Sequence, residues 1–153
     1  MNFIEKLNRA VDRSDSLLCV GLDPDHHKLP AGLGQFEFNQ AIIDATARLV
    51  CAFKPNPAFY EALGAPGVTA LKQTCDYLRE NYPEIPIVMD AKRGDIGNTN
   101  GALAEYVFDY LGADAVTVHP YFGSESLEKF LEYEDKGIIV LCRSSNEGSG
   151  EFQ

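Results

Sequence analysis

The segment VMDAKRGDIGNT, Val88 to Thr99, sets Asp90, Lys92 and Asp95 at intervals of two and three residues, and a further lysine, Lys54, lies in the earlier string CAFKPNP. Alternating carboxylates and ammonium groups suit a reaction in which charge develops on the substrate and is met by fixed charges of opposite sign. Along a strand, side chains alternate, so Asp90 and Lys92 are expected on one side of the sheet, with Asp95 following in the loop. A lone DxKxxD string also fits a solvated charge cluster. The second lysine argues for a prearranged network instead, because burying Lys54 beside Lys92 without Asp90 and Asp95 would be costly. A lysine flanked by carboxylates stays protonated, which makes Lys54 and Lys92 poor Schiff-base nucleophiles.

The elements that must position these residues follow from the apolar pattern. Strand-like runs lie at Leu17 to about Leu22, Cys51 to Pro55, Ile85 to Asp90, Ala115 to Val118 and Gly137 to Cys142. Helical stripes separate them. Phe3, Leu7, Ala10 and Val11 precede the first strand and read as a lid or bottom helix. Phe38, Ile42, Ala45 and Leu49 share a face after the loop DPDHHKLPAGLGQ, and Val68, Leu71, Cys75, Leu78 and Tyr82 form the cleanest stripe. A helix with Leu103, Val107 and Leu111 is expected to stop at Gly112, and a shorter one spans about Ser124 to Glu132.

Strands separated by helices of this length imply right-handed βαβ units and a parallel sheet, so the class is α/β. An open doubly wound sheet and a closed barrel share this alternation. Asp23, Lys54, Asp90, Lys92, His119 and Arg143 all fall at or just past the C-terminal ends of the five strands, which favours a barrel, where every strand can contribute to one mouth. A complete (β/α)8 barrel needs eight units and usually about 250 residues. The 153 residues are therefore expected to form a single domain, the N-terminal part of a TIM barrel with about the first five βα units. Strands one and five would be open edges, and residues 1–153 alone are expected to be poorly soluble and catalytically inactive.

FKPNPAFYE (Phe53 to Glu61), DAKRGDIGNT (Asp90 to Thr99), VHPYFG (Val118 to Gly123) and LCRSSNEG (Leu141 to Gly148) together resemble the ordered signatures of the orotidine 5′-phosphate decarboxylases, in the longer bacterial branch of that family. The resemblance runs from about Asn2 to the last residue, and the DAKRGDIGNT block is its most discriminating part. It implies a cofactor-free and metal-free conversion of orotidine 5′-phosphate to uridine 5′-phosphate. The family's catalytic Lys-Asp-Lys-Asp tetrad falls on Lys54, Asp90, Lys92 and Asp95, with Lys92 protonating C6 of the pyrimidine. By the same resemblance Asp23 and Lys54 hold ribose hydroxyls, and Ser145, or Ser144 in another loop register, bonds the pyrimidine edge. Asp95, Ile96 and Thr99 are shared across a homodimer interface. The family's phosphate site lies on loops after the seventh and eighth strands, beyond Gln153.

The remaining features narrow the alternatives. A net charge of −10 argues against general binding to nucleic acid or anionic membrane. No apolar run approaches the roughly 20 residues that span a bilayer, and the first 15 residues lack the form of a secretory signal, so a cytoplasmic location is expected. Cys19, Cys51, Cys75 and Cys142 lack CxxC spacing and read as buried free thiols. His26 and His27 have no third ligand at metal spacing. His119 is as well suited to a structural hydrogen bond as to lining a pocket, and Asn56 to orienting Lys54. Gly94 and Gly97 are expected to supply positive φ in the loop. The competing functions are a Mg²⁺-dependent sugar-phosphate decarboxylase or synthase of the same barrel superfamily, which shares DxKxxD, and a noncatalytic barrel fragment that associates with a partner.

Overall fold

The computed structural model describes residues 1–153. Five short strands, β1 (Cys19–Leu22), β2 (Ala52–Pro55), β3 (Val88–Arg93), β4 (Ala115–Val118) and β5 (Gly137–Val140), are all parallel. β1 pairs with β2, and β3, β4 and β5 pair in sequence. A parallel bridge between Phe53 and Ile87, with the Phe53 N–H donating to the Pro86 carbonyl at 3.0 Å, joins the two groups. The spatial order is thus the chain order. A doubly wound sheet reverses direction at a switch point, whereas consecutive order is what the wall of a barrel requires.

Six helices accompany the strands: α1 (Phe3–Ser14), α2 (Gln35–Thr46), α3 (Ala58–Glu61), α4 (Ala65–Asn81), α5 (Gly97–Ala104) and α6 (Glu128–Leu131). None is long and apolar enough to cross a membrane. Strand alternation divides the apolar residues into two clusters. Leu22, Phe53, Met89, Val116 and Val118 face outward and pack with Ile43, Leu71, Cys75, Leu78, Val107, Phe108 and Leu111 from the helices. Ala52, Val88 and Ala115, one residue out of phase with them, form a second cluster with Phe3 and Ala10 of α1. Phe3 lies against Gly137, where a Cβ would sit 2.3 Å from its ring. These are the first residues of β2 to β5, so α1 closes the N-terminal end of the wall, the bottom of the two positions expected for it. Its Lys6 bonds Asp114 at 2.8 Å, and Asp114 accepts the Ile87 N–H at 2.8 Å.

Several local expectations change. Cys51 and Cys75 are buried as expected, but Cys19, at the open edge strand β1, and Cys142, past the end of β5, are exposed. The buried face of α2 carries Gln35, Asn39 and Ile43, followed by Ala47, while Leu49 is 58% exposed and Ala45 is exposed as well. Two buried amides, each with internal hydrogen bonds, displace the apolar stripe. β3 begins later and runs past Asp90 to Arg93, so Lys92 belongs to the strand. The helix after β3 widens at its C-terminal end into a π-helix, Glu105–Tyr110, and stops as expected at Gly112 with φ +72°.

Candidate active site

The inner face of the wall carries a second layer above the α1 cluster. Gly21 lies opposite Lys54 and Thr117 opposite Ile139, while Asp90, one residue past the Met89–Val116 pair, lies beside Thr117. Asp90 is the hub. Its Oδ2 pairs with Lys54 Nζ at 2.7 Å, and its Oδ1 pairs with Lys92 Nζ at 2.6 Å. Thr117 Oγ1 donates to the same Oδ1 at 3.1 Å. The Asp90 side chain is only 10% exposed, against 38% for Lys54 and 49% for Lys92, so the carboxylate is sunk in the wall and both ammonium groups reach toward the open mouth.

Simple alternation does not explain Lys92. Its φ is +47°, a left-handed conformation unusual for a side chain with a Cβ, and the β3–β4 register shifts between Met89 and Arg93. Its N–H donates to Thr117 Oγ1 at 2.9 Å. A bulge thus aims the ammonium back at Asp90, and strain at such a point is a mark of functional sites.

Electrostatics follow the geometry. Burial pushes the Asp90 carboxyl up, but the hydrogen bonds and charges of Lys54 and Lys92 outweigh it and hold the group below its ordinary 3.8. At Asp23, just past β1, burial wins and raises the carboxyl, against the opposing pull of Lys54 and the Asn56 main chain. Asp23 is thereby close enough to feel both lysines and Asp90 without an ion pair of its own.

A buried polar cluster fixes the exit of β1. Tyr60 Oη donates to the Leu22 carbonyl at 2.9 Å and accepts from Asn39 Nδ2 at 2.7 Å, and Asn39 also reaches Thr74 Oγ1 at 3.1 Å. Gln35 Nε2 donates to the Pro24 and Phe59 carbonyls at 3.0 and 2.8 Å. The residues on both sides of Asp23 are therefore anchored to α2 and α3. Apolar periodicity records none of these bonds, although polar residues inside the α2 and α4 stripes are a readable signal. Asn56 does not touch Lys54 in this way: its Oδ1 accepts the Ala58 N–H at 3.0 Å and starts α3.

The loop after β3 has a separate frame. Asn100 accepts the Asp95 N–H at 2.9 Å and donates to the Asp95 carbonyl at 2.6 Å and to the Ser126 carbonyl. Asp95 Oδ1 accepts the Ile96 N–H at 2.7 Å, and Asp95 forms no ion pair within the chain. Ile96 is 63% exposed and Thr99 is also exposed. Gly97 has the expected positive φ, +51°. Gly94 does not. It is required for close approach, since a Cβ there would lie 2.5 Å from Cε1 of His119. His119, just past β4, packs against this turn; its main-chain N–H donates to the Arg93 carbonyl at 2.9 Å, while its ring Nδ1 is buried without a hydrogen-bond partner. Arg93 is itself paired with Glu61 of α3.

Of the remaining candidates, Ser145 is exposed after β5, whereas the Ser144 N–H donates to Gln153 Oε1 and its hydroxyl to Asn146 Oδ1, both at 2.6 Å. The structure thus brings Lys54, Asp90 and Lys92 together with Asp23 beside them, and leaves Asp95, Ile96, Thr99 and Ser145 outside that contact network.

Residues 16–153 match the profile of the Orotidine 5′-phosphate decarboxylase / HUMPS family. The chain belongs to this family. The orotidine 5′-phosphate decarboxylase of Dehalococcoides mccartyi is 56% identical over 153 residues, covering 100% of this chain and 56% of the relative. Among solved structures, the orotidine 5′-phosphate (OMP) decarboxylase of Leishmania donovani superimposes with a TM-score of 0.89 at 43% identity, covering 100% of this chain and 58% of that one. A Toxoplasma gondii protein assigned as an orotidine-monophosphate decarboxylase gives a TM-score of 0.93 at 44% identity, with coverages of 99% and 52%. The chain spans about half the length of the relatives it matches. Its fold is accordingly that of the family's (β/α)8 barrel, of which it supplies about the first five βα units.

Proposed function

We propose that the protein decarboxylates orotidine 5′-phosphate to uridine 5′-phosphate in pyrimidine biosynthesis, with Lys92 as proton donor. The observation that carries this reading is the alternation Lys54–Asp90–Lys92, closed by ion pairs of 2.7 and 2.6 Å at the C-terminal mouth of the wall in a chain of this family. Cleavage of the bond between C6 and the carboxylate leaves an electron pair in the plane of the pyrimidine ring, where the π system cannot delocalise it. A fixed cation beside that carbon stabilises the pair, and transfer of a proton from Lys92 Nζ to C6 completes the product. Enzymes lower barriers by about 8–23 kcal/mol, and a reaction with no cofactor as electron sink needs the upper part of that range. Charges placed before the substrate arrives supply it without reorganisation.

In this reading Asp90 holds and aims the Lys92 ammonium, and its charge faces the substrate carboxylate that must leave. Asp23 and Lys54 hold the ribose, and Ser145 bonds the pyrimidine edge. Asp95, Ile96 and Thr99 serve the site of a second subunit in a homodimer. Support for that assignment comes from the exposure of Ile96 and Thr99 and from the absence of a cation on Asp95. The 153 residues act as one domain, the N-terminal part of the barrel, in a cytoplasmic enzyme. Phosphate contacts fall to the later βα units of the full-length protein.

The test is turnover of orotidine 5′-phosphate by the full-length protein, followed as carbon dioxide release with and without a chelator. Turnover indifferent to chelation is expected. Activity that disappears with chelator and returns with Mg²⁺ on a sugar phosphate would replace this reading with the related sugar-phosphate chemistry. Such a metal would have to compete for Asp90 with two ammonium groups already bound.

A further inference from the structure

We propose that Thr117, on β4, is a positioning residue for this reaction, holding the main chain of Lys92 and the carboxylate of Asp90 in register through a single hydroxyl. The inference rests on the decarboxylase reading and adds to it a residue outside the tetrad. Thr117 Oγ1 accepts the Lys92 N–H at 2.9 Å and donates to Asp90 Oδ1 at 3.1 Å. Lys92 Nζ returns to that same Oδ1 at 2.6 Å. The four groups close a ring in which Lys92 is held at both ends, by its amide and by its ammonium.

Three features argue that this ring has a purpose beyond filling space. First, Lys92 sits at φ +47° where the β3–β4 register breaks, so its conformation must be imposed from outside. Second, Thr117 is 5% exposed on an inner face whose neighbour in the lower layer is Ala115, and valine would satisfy packing there as well. A hydroxyl is needed only if its two hydrogen bonds matter, and here both are made. Third, a β-branched side chain in a strand has few χ1 choices, so the oxygen stays in place without help from solvent. A hydroxyl that accepts from an amide and donates to a carboxylate is polarised in the same direction by both partners.

The experiment compares Thr117→Val and Thr117→Ser with wild type in the full-length protein, measuring kcat, KM and the pH profile of kcat. Valine keeps the shape and removes both bonds. A misplaced reacting group costs about 100-fold in rate, so kcat is expected to fall by that order with KM changed little, since Thr117 is 5% exposed and its hydroxyl is engaged by Lys92 and Asp90. The acid limb of kcat should move to higher pH as Asp90 loses a donor. Serine should restore kcat to within about tenfold of wild type, short of full recovery because it lacks the restricting methyl. If Thr117→Val does not fold, Thr117→Cys, whose thiol is a weak donor and acceptor, takes its place and should show the same loss. A kcat within threefold of wild type for the valine or cysteine variant, or a serine variant as impaired as valine, would overturn the role. Wild-type protein inactive on orotidine 5′-phosphate would instead overturn the function on which the inference rests.

Discussion

At their N-terminal ends β2 to β5 begin with Ala52, Val88, Ala115 and Gly137, small or apolar residues drawn together under Phe3 of α1. One layer higher, the same inner face presents Lys54, Asp90 and Thr117, with Lys92 twisted back over them. Only two residues of strand separate the layers. The lower one loses nothing on leaving water and contributes stability through burial. The upper one keeps a carboxylate in the wall at a desolvation cost that its lysines repay, and it holds a backbone conformation most residues avoid. A wall of this kind separates its duties by depth, so substitutions at the two ends should fail in different assays.

The largest effect is expected at the upper layer. If the protein is the decarboxylase proposed above, Lys92→Ala in the full-length protein should lower kcat by at least about 1,000-fold, because in that reading the cation matters most once the carbanion forms. Nucleotide product should still bind. Stability should change little, as Asp90 keeps Lys54 and the side chain removed is half exposed. Near-normal turnover of purified Lys92→Ala would remove Lys92 from the role of proton donor. At the lower layer the pattern should invert. Phe3→Ala empties a contact with Gly137 and Ala115 and should cost about 3 kcal/mol in denaturant unfolding, with kcat per folded molecule unchanged. A lowered kcat with intact stability would mean that the bottom of the wall communicates with the mouth.

How much of this was legible in the residues differs by layer as well. The strand Ala115–Val118, the α4 stripe and the stop at Gly112 follow from apolar period and glycine placement alone. The face of α2 does not, because Gln35 and Asn39 are buried by hydrogen bonds to groups distant in sequence, which no periodicity records. The charged string points to Asp90 and Lys92, yet strand alternation accounts for their meeting only in part: a bulge and a positive φ aim Lys92. Thr117 is not legible in the sequence, since a threonine in an apolar strand looks like β-propensity, and only the neighbouring register shows its two partners. Asn100 is similar, a polar residue whose meaning is the loop it closes around Asp95.

The loop from Asp95 to Thr99 lies between these extremes, ordered by Asn100 but lacking a cation for Asp95. If that carboxylate serves a second subunit, mixing inactive Lys92→Ala and Asp95→Ala proteins should restore activity. Random assortment makes half the dimers mixed, each with one intact and one doubly damaged site, so recovery should approach about a quarter of wild type. No recovery, with exchange verified by native mass spectrometry, would place Asp95 in its own subunit's site.

The smallest effect separates the two carboxylates at the mouth by their response to pH. Asp90 is held below 3.8, so the stability its ionised form provides is present above that value and is lost as pH falls through the depressed folded value. Asp23 is raised by burial, and the sign reverses: its favourable contribution is present below 3.8 and is lost as pH rises through the higher folded value. Asp90→Asn should therefore lower Tm at pH 7, leaving Lys54 and Lys92 facing each other, and the deficit should narrow in acid. Asp23→Asn should raise Tm slightly at pH 7, with the gain vanishing once wild-type Asp23 is protonated. Thermal unfolding of the three proteins from pH 7 to pH 3 reads both trends. If Asp23→Asn lowered Tm at neutral pH as Asp90→Asn does, Asp23 would have to be held by the lysines as firmly as Asp90 is, and the mouth would carry two paired carboxylates. The geometry gives one, because both lysine ammonium groups are already within 2.7 Å of Asp90.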